Sequence, residues 1–401
     1  MTTRFDPGVL VPDPEARAQV LGRLEAGLAA VEPEALTAAA LSGRRAGGTT
    51  VISIGKAAPA MARGAASVLD VVGGVCVTDH PEPVPETMSL LIGDHPVPGP
   101  ASLEAGAAVL DAVRRVPSSV DIIALVSGGG SALCEAPREG VPAEFLSEAT
   151  NRLISGGADI EELNLVRAHL SAIKCGGVAR AAGRPIDTYV ISDVAGAGLG
   201  VVASGPTIPA PHDPQAAAVL LARLSIDIPP DVWQAMRTEP LPLPTPDVTL
   251  LADGSNAARA AAGVPPPAHV DAEWLRGEMG ACLDRFLARV EPGMTVAAGE
   301  VVLDVTGPGS GGRNTHAALL AAERIAGSQD IFCAFATDGV DGRSGAAGGV
   351  VDGSTIDRGG DPAGAFRSFD SASYLSRTSD LLRCPPTGTN VSDLWILWRR
   401  G

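Results

Sequence analysis

The sequence predicts an α/β protein of two domains, 1–235 and 247–401, on three observations. Short apolar runs at 50–54, 74–78, 122–127 and 188–192 each end in glycine or a small polar residue and are followed by a helical pattern. That rhythm belongs to parallel βαβ units, and hence to an open sheet covered by helices on both faces. Between 231 and 247 the chain reads DVWQAMRTEPLPLPTPD, whose prolines at 240, 242, 244 and 246 mark a semi-rigid linker. Beyond it a second α/β series begins.

Taken in order, residues 15–42 read as two amphipathic helices broken at Pro33, ahead of the first strand at 50–54. After the linker the pattern predicts a strand at 248–251, a helix at 256–263 and a proline-rich turn, then a helix at 272–290. A strand at 301–305, a helix at 315–325 and a strand at 331–336 follow. Ligands of parallel α/β sheets bind at the carboxyl ends of the strands, which is where the glycine clusters of this chain fall.

Composition limits the function. The 401 residues carry a net charge of −16 and no basic run longer than two residues, which argues against a nucleic-acid partner. No stretch approaches the roughly 18 apolar residues of a membrane span, and MTTRFDPGVLVPDPEARAQV lacks the form of a secretory signal, so a cytoplasmic protein is expected. The six cysteines stand singly, without C-x-x-C, as reduced and mostly buried thiols do. Of the 30 basic residues only Lys56 and Lys174 are lysine. In a chain so rich in arginine, two retained lysines are candidates for function.

Six segments carry candidate chemistry. In Ser53-Ile54-Gly55-Lys56-Ala57, a strand turns into a helix through glycine, which places a lysine where helix N-termini attract anions; a surface lysine is the plain alternative. In Ser127-Gly128-Gly129-Gly130-Ser131, bare amides after a buried strand suit phosphate, against a turn needing positive φ. On NLVRAHLSAIKCGG the residues Asn164, Arg167, Ser171 and Lys174 recur at spacings of three and four, a polar stripe on one helix that faces either ligand or solvent. Asp193, at the end of a strand, suits Mg²⁺ or a substrate hydroxyl, or else caps a helix. Gly307-Pro308-Gly309-Ser310-Gly311-Gly312 matches the dinucleotide fingerprint, although Arg313 and Asn314 behind it better suit an anionic substrate. Asp338 and Asp341 flank a glycine turn and either position a ligand or make Asx turns.

In this order the segments resemble the class II glycerate kinases, the glycerate 2-kinase family with a MOFRL-type C-terminal domain. The resemblance covers nearly the whole chain, from IGKAAPAMA through DHPVPGPASLEAG, LVSGGGSALCEAP, ISDVAGAGLGVVASGPT and GPGSGGRN to ATDGVDGRSGAAGGVVDG and PTGTNVSDL. It implies a Rossmann-like N-terminal domain, a smaller C-terminal α/β domain and an active-site cleft between them. It also implies phosphorylation of D-glycerate at its 2-hydroxyl, with ATP and Mg²⁺. By matching motif positions, Lys56, Asp193 and Arg313 are the expected catalytic set, with Asp193 also the expected metal ligand. Ser127, Gly128, Gly129, Gly130 and Ser131 would hold the nucleotide phosphates, and Arg167, Lys174, Asn314 and Asp338 are the expected substrate contacts. The expected partners are a small hydroxy acid and, in assembly, a second copy of the chain.

Departures from the family pattern keep two further readings open: a related kinase of another small hydroxy acid, and a nucleotide-binding homologue without glycerate kinase activity. The SDV segment commonly continues P-G-D-D, whereas here it reads Ala195-Gly196-Ala197-Gly198. A cysteine, Cys175, is inserted into the usual K-G-G, and Thr78-Asp79-His80 replaces a segment that often carries lysine. Region 253–298 is short. The GPGSGG run leaves a nicotinamide-dependent reductase as a third alternative.

Overall fold

The structure, a computed structural model, describes residues 4–5, 13–44, 47–95, 97–194, 198–243, 245–305 and 307–400. The family departures at Ala195, Gly196 and Ala197 and the linker proline Pro244 lie outside the described residues. The chain divides into two compact units, each discontinuous in sequence. One is Pro33–Ser192 with Gly196–Leu251; the other is Met1–Glu32 with Asp193–Ala195 and Ala252–Gly401.

The first unit is a parallel sheet flanked by helices. Its strands are β1 (Gly48–Ile54), β2 (Asp70–Thr78), β3 (Met88–Ile92), β4 (Asp121–Ser127), β5 (Asp187–Ile191) and β6 (Val248–Ala252), in the order β3-β2-β1-β4-β5-β6. Helices α2 (Pro33–Leu41), α3 (Ala58–Ala66), α4 (Pro100–Arg115), α5 (Gly130–Leu133), α6 (Ala143–Ser155), α7 (Ile160–Leu170), α8 (Gly177–Ala182), α9 (Pro214–Arg223) and α10 (Pro230–Arg237) cover it. β1 pairs with β2 on one side and with β4 on the other, so the strand order reverses there. That is the doubly wound order, with its switch point between β1 and β4. The strand expected to open the second domain is instead β6, the edge of this sheet. Its approach is fixed by Thr188 N, which donates to Asp247 O at 2.8 Å. The proline-rich segment therefore returns the chain to its own sheet rather than ending the domain.

The second unit holds α1 (Pro14–Ala30), α11 (Gly254–Gly263), β7 (His269–Val270), β8 (Leu275–Glu278), α12 (Met279–Arg289), β9 (Gly293–Val302), α13 (Arg313–Arg324) and β10 (Ile331–Ala336). It continues through β11 (Gly348–Asp352), α14 (Thr355–Gly359), α15 (Ala363–Ser368), α16 (Ser371–Arg377), β12 (Leu381–Leu382) and β13 (Asp393–Arg399). β13 lies antiparallel between β10 and β9, and β11 pairs antiparallel with β10, whereas β7 and β8 pair parallel with β9, so this sheet is mixed. Trp395, Phe332 and Phe286 meet edge-on at its centre.

Two local readings change. The helix expected over 272–290 is β8 followed by α12, because Glu278 accepts from the amides of Gly280 and Ala281 and so starts the helix there. The strand expected at 301–305 runs earlier, as β9, where its small residues Ala297 and Ala298 are buried.

Helix α1 belongs with the C-terminal unit, which departs from a division at 235. The cause is Arg23, fully buried, whose Nη1 donates to Ala261 O at 3.0 Å and Val264 O at 2.7 Å, the carbonyl end of α11. A cation satisfies the last carbonyls of a helix and its dipole together. Replacing Arg23 with methionine is expected to cost about 2 kcal/mol, because buried carbonyls lose their donor. A lowered urea midpoint would register it; an unchanged midpoint would contradict this role for α1.

Candidate active site

Lys56 and the triple-glycine loop lie at the carboxyl ends of β1 and β4, on either side of the switch point. Hydrogen bonds lock the two turns together. Lys56 N donates to Gly128 O at 2.9 Å, and Ala57 N donates to Ser127 Oγ at 3.1 Å. Gly55 is required here: its φ is +129°, and a Cβ would stand 2.2 Å from Ser127 Oγ. Gly129 has φ +82°, and a Cβ on it would sit 3.1 Å from Lys56 Cγ. The lysine stem therefore runs across the bare face of the loop.

The loop residues separate into two roles. Ser127 is fully buried, and its hydroxyl is engaged by Ala57 N, so it is a brace rather than the phosphate donor expected from sequence. Gly129 and Ser131 are partly exposed. Ser131 Oγ lies 2.9 Å from Ser204 Oγ, which also accepts from Arg167 Nη1 at 3.1 Å. Ala203 and Ser204 hold positive φ, 50° and 58°, against Gly130, whose Cβ would meet Ala203 Cβ at 2.7 Å. Non-glycine residues in that conformation cost of order 1 kcal/mol each, and such strain gathers at functional sites.

The polar stripe does not lie on one helix. Helix α7 ends at Leu170, and Ser171 is turned into a β-bridge with Pro137. Lys174, expected to face substrate, is fully buried: its Nζ donates to Cys134 O and, at 3.5 Å, to Gly130 O. Burial pulls its pKa down. It braces the glycine loop from behind. Beside it Glu135, 1% exposed, accepts from Ser171 Oγ and from Ala136 N; sequence reading passed over it, although it follows the loop by four residues. Arg167 is likewise buried, touching the loop through Ser204.

In the second unit Arg313 is the first residue of α13 and is half-exposed. Its Nη1 bonds Glu300 Oε1, and its Nε lies 3.3 Å from Asp393 Oδ2. Burial pushes Asp393 up to about 7, far above the ordinary carboxylate range. Asn314, expected to touch substrate, is 1% exposed and donates from Nδ2 to Asp393 Oδ1 at 2.8 Å, so it supports that carboxylate instead. Asp341 accepts from the amides of Asn314 and Thr315, both at 2.8 Å, capping the helix. Asp338 accepts from Val340 N at 3.0 Å, the Asx turn that was its plainer reading. Asp193 is partly exposed, and its Oδ2 accepts from Asn390 Nδ2 at 3.3 Å. Asn390 precedes Asp393 by three residues, so Asp193 and Arg313 both attach to the approach to β13. Of the acids that hold Arg313, Glu300 stands 13 residues before it, at the head of the same segment, whereas Asp393 lies in the distant PTGTNVSDL segment and had no role of its own from sequence.

The GPGSGG run is not a dinucleotide turn. The strand β9 before it adjoins an antiparallel neighbour, and its glycines meet the protein's own backbone. A Cβ on Gly309 would stand 2.4 Å from Ser368 O, and one on Gly312 would stand 2.3 Å from Asp341 O.

Among the described residues no group of three or more His, Cys, Asp and Glu could hold a metal ion, and no helix is long and apolar enough to cross a membrane. All six cysteines are free, and all but Cys384 are buried.

Residues 19–237 match the model of a domain of unknown function, DUF4147, and residues 293–393 match the MOFRL family. The D-glycerate 2-kinase of Thermotoga maritima is 35% identical over 86% of this chain and 89% of its own. A relative from Agrobacterium vitis, with a provisional name of hydroxypyruvate reductase, is 34% identical over 94% of this chain and 93% of its own. A crystal structure of glycerate kinase from Thermotoga maritima superposes with a TM-score of 0.86 at 32% identity, over 96% of this chain and 100% of that one.

Proposed function

The chain belongs to the glycerate kinase family, and from that membership we propose that it transfers the γ-phosphoryl group of ATP to the 2-hydroxyl of D-glycerate, giving 2-phosphoglycerate and ADP. The observation that carries this reading is the lysine lying across a triple-glycine loop at the switch point of a doubly wound sheet.

Phosphoryl transfer asks a protein for positioning and charge neutralisation more than for covalent chemistry. The amides and hydroxyl of Gly129, Gly130 and Ser131 cradle nucleotide phosphates, with Lys174 and Arg167 fixing the loop from its buried side. The Lys56 ammonium neutralises charge on the γ-phosphate. Arg313, a planar fork suited to oxyanions, binds the glycerate carboxylate or the γ-phosphate. Asp193 accepts the proton of the attacking 2-hydroxyl or holds Mg²⁺. Mg²⁺ favours one or two carboxylates plus substrate phosphates over an all-protein cage, and the partly exposed Asp193 carboxylate is a donor of that kind. When bound, the ion would offset phosphate charge.

A coupled assay tests the proposal. ADP release is expected only when D-glycerate, ATP and Mg²⁺ are all present. Release with another hydroxy acid in its place would move the substrate assignment. Oxidation of NADH with hydroxypyruvate would favour the reductase name of the Agrobacterium relative.

A further inference from the structure

The first unit contains a cavity of about 630 Å³ whose walls include none of Lys56, Ser127, Gly128, Gly129, Gly130 or Ser131. Arg138 and Arg180, both half-buried, line it together with the exposed Arg114, Glu139, Asp231 and Glu239. Each of these two half-buried arginines is anchored on a carbonyl: Arg138 Nη2 donates to Thr238 O at 2.5 Å, and Arg180 Nη2 donates to Cys175 O at 2.6 Å. Among the described residues no carboxylate forms an ion pair with either.

Two like charges held together in a half-buried recess are unfavourable unless a counter-charge joins them. Burial lowers the pKa of both arginines, and the charge of Arg138 lowers that of Arg180 further. An arginine has five donors in a fixed fork, so each retains donors beyond the one that anchors it. The three carboxylates belong to exposed residues, where solvent screens them. A small anion entering between Arg138 and Arg180 would gain charge-assisted bonds that neither arginine obtains from this chain.

We propose that this cavity is a second anion site, taking a small molecule that bears a phosphate or carboxylate group between Arg138 and Arg180. The site touches the phosphate loop indirectly. Arg180 holds the carbonyl of Cys175, next to Lys174, whose ammonium holds Gly130 O. An occupant would thus brace the segment that fixes the loop.

Calorimetry at low salt with saturating ADP tests this, using inorganic phosphate in one arm and malonate in the other. Binding of either anion to the wild-type protein is expected, with the tighter arm naming the source of the charge. In the double variant Arg138→Gln, Arg180→Gln the affinity should fall at least tenfold while glycerate phosphorylation persists. A second readout needs no variant: phosphate or malonate should slow modification of Arg138 and Arg180 by phenylglyoxal, mapped by peptide mass, without slowing that of Arg259. Absence of binding to the wild type, equal affinity in the double variant, or unprotected arginines would each overturn the proposal.

Discussion

Replacing Lys56 with alanine is expected to lower kcat for glycerate phosphorylation by roughly 10²- to 10³-fold, the usual effect of losing one preorganised charge aimed at the transition state. The expectation follows from place. Lys56 caps the carboxyl end of β1, its amide is tied to Gly128 O at 2.9 Å, and its stem crosses Gly129. Because the backbone bonds remain in the variant, the thermal midpoint should change little while kcat falls. Gly129→Ala probes the same contact from the other side. At φ +82° the new Cβ carries about 1 kcal/mol of backbone strain and meets Lys56 Cγ at 3.1 Å, so the lysine must move. Steady-state kinetics should show a raised KM for ATP as well as a lower kcat. Full activity in Lys56→Ala would remove this lysine from the mechanism.

The second large effect is expected at Arg313, where catalysis and stability are coupled. Arg313→Ala should lower kcat/KM by roughly 10³-fold, the lower end of the range for an arginine that stabilises transferring phosphate. It should also make stability more dependent on pH. Asp393, buried beside that guanidinium, is raised to about 7. A raised carboxylate pKa means that the folded state retains a proton which the unfolded chain releases near pH 4. The contribution of Asp393 is therefore fully present at low pH and is lost as pH rises through about 7. Without Arg313 the ionised form loses its partner, so the decline should steepen and extend to higher pH. Urea midpoints at pH 6 and pH 8.5 check this. The gap between wild type and variant should widen at the higher pH, and a constant gap would contradict the coupling. Arg313→Lys should recover part of the stability but less of the rate, since an ammonium cannot reproduce both contacts of the fork.

The site was legible where local backbone chemistry decides it. Gly55 and Gly129 are glycines because their φ angles and the close approach of Ser127 and Lys56 exclude a side chain, and that need is written into the SIGKA and SGGGS segments themselves. The order of βαβ units was legible for the same reason. What failed depended on distant partners. The spacing of Arg167, Ser171 and Lys174 continued a helical pattern, but the pairing of Ser171 with Pro137 ended the helix at Leu170 and turned Lys174 inward. Asn314 looked like a ligand contact because Asp393, the acid it supports, lies 79 residues away. The proline-rich segment read as a boundary, yet β6 returns to the edge of β5, a pairing no local signal encodes. Helix α1 was assigned by proximity in sequence, whereas Arg23 commits it to α11, more than 200 residues on.

Phosphorus NMR of the wild-type protein incubated with ATP, Mg²⁺ and D-glycerate tests the central claim most directly, because it reads both turnover and the position of the new phosphate. Loss of the γ-phosphate signal of ATP with equal growth of 2-phosphoglycerate is expected. Unconsumed ATP, or 3-phosphoglycerate as the product, would contradict it.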